Sequence, residues 1–241
     1  MSDAAPPSAP AAPRRARRAR ERVGALSRAA RRFVATHPVS VALMVVILST
    51  AALTGTLWGE DASIWGAGPL ATFAAGRWWT LLTALVIPDS TIDAVVSASL
   101  AISVLAYAER LLGSRRTALL LGVLGLAGLL TGIGFHAAAW ALTDLRPVVA
   151  AEVPVLDPTT PIAGVVLAAT AFAPTLWRRR VRLVGFAVLA LFALYAGDAD
   201  SWYRLSAAVI GLGVGEVLAR GRERRAWHRS STRETRTLLA L

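Results

Sequence analysis

Apolar residues in this chain gather into long runs closed by arginine, aspartate or tryptophan, instead of alternating singly with polar ones as in a half-buried strand. A helix needs about 20 such residues to cover a hydrocarbon core of about 30 Å. Six stretches meet or approach that length: 39–58, 92–112, 117–142, 161–177, 181–197 and 202–219. The pattern predicts an all-α, polytopic membrane protein with six spans, the first starting just after Pro38 and the fourth short. Trp58, Trp140, Trp177 and Trp202 fall at the expected ends, where an indole can bury its ring and keep its N–H wet.

Two stretches stand outside the spans. Residues 59–79, with Trp65, Gly66, Gly68, Pro69, Gly76, Trp78 and Trp79, are too broken to cross and too apolar for a free loop. They are expected to lie in the outer interface. Residues 1–36 are rich in Pro, Ala and Arg, which predicts a disordered tail running into a short basic interfacial helix. A twin-Arg export signal fits poorly, since the apolar run that follows is long and lacks a small-x-small cleavage site. The membrane domain is therefore placed at 37–219, followed by a basic tail at 220–241.

Composition agrees, with 55% hydrophobic and 17% charged residues, and a net charge of +11 raises the question of nucleic acid. Position answers it. Nine arginines fall in the first 32 residues and seven follow Ala219, outside the apolar runs and without motif context, so they are expected to face anionic lipid headgroups rather than nucleic acid. The two tails with loops 109–116 and 178–182 hold 23 arginines, while the intervening loops hold Arg77, Arg146 and Arg204 beside Glu60, Asp61, Asp89, Asp144, Glu152, Asp157, Asp198 and Asp200. Arg-rich short loops stay in the cytoplasm. Both termini are expected there, in a bacterial cytoplasmic membrane.

Cysteine is absent, which excludes disulfides, a thiolate nucleophile and thiolate metal ligands. No His/Glu cluster has metal-ligand spacing and no Gly-rich loop follows a strand, so no cofactor is expected. Gly122, Gly125, Gly128 and Gly132 in the third span, and Gly211 and Gly215 in the sixth, mark faces where helices can approach closely.

Several of these features occur in a definite order. An interfacial stretch ends Gly76-Arg77-Trp78-Trp79-Thr80-Leu81-Leu82-Thr83; a span then ends Glu109-x-x-x-Gly113; a short fourth span follows; the sixth carries Gly211-x-x-x-Gly215. Over residues 39–219 this resembles the six-helix rhomboid core, with its Trp-Arg loop motif, Glu-x-x-x-Gly and Gly-x-x-x-Gly. The resemblance also implies what catalysis would require. A rhomboid's Gly-x-Ser-Gly would fall on Pro161-Ile162-Ala163-Gly164, which puts Ala163 at the nucleophile, and a methyl group cannot attack a carbonyl. The general-base position is Ala208. Counting back from Glu109 puts the oxyanion-stabilising positions at Asp93 and Ser97, where a carboxylate would repel the developing charge, and the loop Arg becomes Thr80. The resemblance thus implies a pseudoprotease.

Other polar residues have plainer readings. His136 is expected as a neutral histidine bonded to a neighbouring helix, and a Ser206–His136 catalytic pair would need two spans to juxtapose by accident. Glu216 is expected to pair with Arg220 at i, i+4, and Glu109 with its flanking arginines. Asp93, Asp198 and Asp200, at the outer ends of spans, are expected either to line a polar mouth or, equally well, to form a solvated outer rim.

The end of the chain, basic from Arg220 to Arg236 and then apolar through Leu241, is similar to the junction after the rhomboid-like block of actinobacterial lysyl-phosphatidylglycerol synthetase relatives, the multiple peptide resistance factors. That resemblance implies a further span beyond the tail. Three functions follow as expectations. The leading one is a non-catalytic module binding a transmembrane partner or lipid. The second is a divergent intramembrane serine protease, and the third a membrane block serving lipid aminoacylation or translocation.

Overall fold

The structure is a computed structural model and describes residues 14–59, 76–142, 156–195 and 199–238. Among them every regular element is helical. In chain order the helices are α1 (Arg14–Thr36), α2 (Pro38–Leu53), α3 (Thr80–Ala84), α4 (Thr91–Leu112), α5 (Ser114–Leu142), α6 (Thr159–Ala169), α7 (Thr175–Tyr195) and α8 (Ala199–Leu238). Short 3-10 turns at Thr56–Trp58 and Thr170–Phe172 follow α2 and α6, and a π turn at Ala101–Leu105 interrupts α4.

Met1–Pro38 and Val39–Leu241 form two separate units. In the first, α1 is one Arg-rich helix of 23 residues, longer than the short interfacial helix expected. At its end the Thr36 hydroxyl donates to the Arg32 and Phe33 carbonyls.

The second unit is organised around α6. Nearly all of α6 is buried, with only Ala163 and Val166 half-buried. Glycine places its neighbours. A Cβ on Gly211 or Gly215 of α8 would collide with the Gly164 or Ala168 carbonyl oxygen, so α6 and α8 run parallel and touch backbone to backbone. A Cβ on Gly125 would come within 3.0 Å of Pro161, and one on Gly128 within 2.6 Å of Ala207, which sets α5 antiparallel to both. Around this contact Leu105, Leu124, Val165 and Ala168 are fully buried. Close approach through small residues supplies the packing that hydrophobicity cannot supply in lipid.

Buried hydrogen bonds fix the start of α2. Glu109, 2% exposed, accepts from the Val39 and Ser40 amides at 3.1 and 3.0 Å and from the Ser40 hydroxyl at 2.7 Å. Those amides start α2 and have no partner within it, so a carboxylate from α4 caps a neighbouring helix. Glu109 therefore does not pair with its flanking arginines as expected. Four residues on, Gly113 closes α4 at φ 86°, a conformation costly for any residue with a Cβ, and its N–H donates to the Glu109 carbonyl at 2.8 Å.

The boundaries depart from expectation where the chain breaks. Among the described residues, three helices are long and apolar enough to cross a bilayer: Thr91–Leu112, Ser114–Phe135 and Asp200–Gly221. Helix α2 stops at Leu53 because Gly55 takes a left-handed φ of 78°. The expected fourth span ends at Phe172, five residues early: Pro174 lacks an N–H to continue it, and Trp177 belongs to the first turn of α7. At 14 residues, Thr159–Phe172 is about 21 Å long. Helix α7 is long enough, but Arg178, Arg179, Arg180 and Arg182 lie in its first turns. Helix α8 continues through the basic tail to Leu238. Of the expected interfacial stretch, residues 60–75 lie outside the described residues; Gly76 to Trp79 are exposed and lead into α3.

Candidate functional site

The N-terminal ends of α4, α6 and α8 meet in a cluster of charge, and Asp157 is its centre. The run Asp157-Pro158-Thr159-Thr160 starts α6 as helices often start, with a short acidic side chain ahead of a proline. One carboxylate oxygen accepts the Thr159 amide at 2.9 Å and the Thr159 hydroxyl at 2.5 Å. The other accepts the Thr160 hydroxyl at 2.6 Å and Arg204 Nε at 2.7 Å. The Asp157 amide donates to the Ala84 carbonyl at 2.9 Å, tying the cap to α3. Asp157 is 0% exposed, so this is a buried carboxylate with its oxygens fully engaged.

Arg204 projects from the second turn of α8 and is about a quarter exposed. Its Nη2 lies 4.0 Å from Asp200, one turn earlier. On α4, Asp93 is close enough to interact with both Asp157 and Arg204. It accepts from the Ser97 hydroxyl at 3.1 Å and the Asp89 amide at 3.4 Å, while Ser90 accepts its amide at the helix start. Three carboxylates thus gather around one guanidinium. Among the described residues, no group of three or more His, Asp or Glu side chains is arranged to hold a metal.

Expected site residues fall on and just below this cluster. Asp93 and Ser97 are in it, on one face of α4. Asp93 is half-buried and bonded, as in the polar-mouth alternative and not the solvated rim, and Asp198 lies outside the described residues. Ala163 and Ala208 stand at the same level of the α6–α8 contact, the first half-buried and the second 0% exposed. Beside them a Cβ on Gly164 would lie 2.9 Å from Leu124 Cβ and 3.1 Å from the Ala207 carbonyl oxygen. Thr80 is buried and donates to the Arg77 carbonyl at 2.7 Å. Trp79 is exposed at the head of α3, and Thr83 donates to Thr80.

Two expectations are corrected. Glu216 pairs with Arg182 of α7 at 2.6 Å, not with Arg220, because α7 packs beside α8 and presents the guanidinium directly. Arg204, assigned from the sequence to an outer loop, is helical and salt-bridged to Asp157. The side chain of His136 lies outside the described residues. Its backbone is eight residues beyond Gly128, about 12 Å along the axis from the level of Ala207, the neighbour of Ser206. The register does not bring those two backbones together.

Sequence reasoning missed the Asp157–Arg204 pair, although two signals announced it: an Asp-Pro-Thr-Thr helix start, and a lone arginine inside an apolar helix, which requires a partner. No protein-family model matches the chain, and neither a curated protein nor a solved structure is significantly similar to it.

Proposed function

We propose that this chain is a non-catalytic, rhomboid-like integral membrane module whose ligand lies in the bilayer. The observation that carries the reading is the pair of methyl groups, Ala163 and Ala208, at the level where α6 and α8 touch backbone to backbone. The resemblance assigns the nucleophile and the base to those positions. Hydrolysis by a serine needs a hydroxyl and a base within hydrogen-bond reach of each other. The polar groups above the methyls are carboxylates, hydroxyls and a guanidinium already bonded to one another. Three carboxylates around that mouth also oppose any oxyanion.

The reading predicts that a serine-directed fluorophosphonate leaves the purified chain unlabelled. Labelling abolished by one Ser substitution would establish the divergent protease instead. Lipid handling, alone or for an aminoacylating synthetase, is favoured over a protein partner by an apolar cleft at the Arg-rich end of the helices. It would be supported by phospholipid retained through purification.

A further inference from the structure

Between α4, the end of α6 and the start of α7 lies a cleft of about 450 Å³, within the range of small-molecule pockets. Its walls are Val104 and Tyr107 from α4, Val166 and Ala169 from α6, and Trp177 and Val181 from α7. Three features of the chain open it. Helix α6 is short, and Pro174 turns the backbone away below it. Small side chains, Ala108 and Ala173 among them, leave the space unfilled. The π turn at Ala101–Leu105 brings Ser103 and Val104 to the wall, and single π turns inside helices often occur at functional sites.

The lining favours an apolar occupant. The Ser103 hydroxyl donates to the Ser99 carbonyl at 2.5 Å, and the Thr170 hydroxyl donates to the Leu167 carbonyl at 2.6 Å and accepts from Arg182 Nε at 2.9 Å, so both are already engaged by the protein. The rim favours an anion. Wall residues Leu111, Trp177 and Val181 are flanked in sequence by Arg110, Arg178 and Arg180, and loops 109–116 and 178–182 together carry seven arginines against one acid, Glu109. Glu109 is already engaged in capping α2.

Size separates a lipid from a helix. One 5.4 Å turn of a helix about 10 Å across displaces about 420 Å³, so the cleft holds a single turn of a transmembrane partner. A methylene takes about the volume of a water, about 30 Å³, so the same space holds roughly fifteen of them, the length of a membrane acyl chain. We propose that this cleft seats one acyl chain of an anionic phospholipid, with the headgroup held by Arg110, Arg178 and Arg180. The proposal shares with the non-catalytic reading only the premise that the ligand comes from the bilayer; a fluorophosphonate-reactive serine would sink that reading and leave the lipid result standing.

The test uses the full chain in nanodiscs containing phosphatidylglycerol or phosphatidylcholine with a photoreactive diazirine midway along one acyl chain, cross-links being mapped by mass spectrometry. Phosphatidylglycerol should label the Tyr107, Trp177 and Val181 peptides well above Leu194, an exposed position remote from the cleft. Its excess over phosphatidylcholine should fall roughly fivefold for each of Arg178→Gln and Arg180→Gln. Filling the cleft with Ala108→Leu should abolish the cleft signal; Ala173→Leu, in the turn before α7, provides the same test if the first variant does not fold. Equal labelling by both lipids, labelling no higher than at Leu194, or cleft labelling unchanged by Ala173→Leu would each overturn the proposal. So would a photoreactive residue at position 107 that captures a polypeptide while phosphatidylglycerol leaves the cleft unlabelled.

Discussion

Replacing Arg204 with methionine would remove the cation facing a carboxylate that is wholly out of solvent. Breaking a buried pair from one side costs about 3–5 kcal/mol, because the remaining charge has no water and no cation, only the neutral donors of Thr159 and Thr160. In a chain of this size that corresponds to a fall in melting temperature of about 10 °C, measurable on the detergent-solubilised protein. Adding Asp157→Asn to Arg204→Met should recover much of the loss, since asparagine keeps an oxygen for the Thr159 amide without the charge. A single variant as stable as the parent would show that the pair contributes nothing. The Arg182–Glu216 pair provides the contrast. Its side chains are 27% and 37% exposed, and solvent screening holds such a pair to about 1 kcal/mol or less. Glu216→Gln should therefore barely move the same melting curve.

At the scale of the helix, Gly211 and Gly213 make a matched pair two residues apart. A side chain at 211 meets the Gly164 backbone, whereas one at 213 meets nothing within 4 Å. Gly211→Leu should force α6 and α8 apart at a cost of about 3 kcal/mol or more, the upper end of overpacking, because backbone cannot yield as a side chain does. Gly213→Leu should be neutral or slightly stabilising, by up to about 0.5–1 kcal/mol from helix propensity. Thermal melts of both variants decide it, and equal losses would mean that the contact is not as close as drawn.

These glycines also show what was legible in the sequence. Four-residue spacing marked Gly211 and Gly215 as a packing face, and Gly125, Gly128 and Gly132 do meet other helices while Gly122 meets nothing within 4 Å. Spacing along one helix cannot say which helix lies opposite, so the partners of Glu109, Glu216 and Arg204, 69, 34 and 47 residues away, stayed hidden. Run length also misjudged α6, because an apolar run does not show where a 3-10 turn and a proline end the helix.

For the whole molecule, the distribution of arginine makes a directional prediction that the absence of cysteine makes easy to test, since any introduced thiol is the only one present. Ser90 starts α4 at the acidic end and is exposed, while Ser114 starts α5 at the arginine-rich end. Positive loops are retained in the cytoplasm, so the two ends of α4 should face opposite compartments. In intact bacterial cells, Ser90→Cys should react with a membrane-impermeant maleimide, and Ser114→Cys only after lysis. Thr175→Cys, beside the arginines that open α7, should behave like Ser114→Cys. Reaction of both Ser90→Cys and Ser114→Cys from outside would mean that α4 does not cross. The reverse pattern would turn the protein over and put the arginine-rim cleft in the outer leaflet, leaving the helix packing intact but moving the lipid proposed for that cleft to the other face of the membrane.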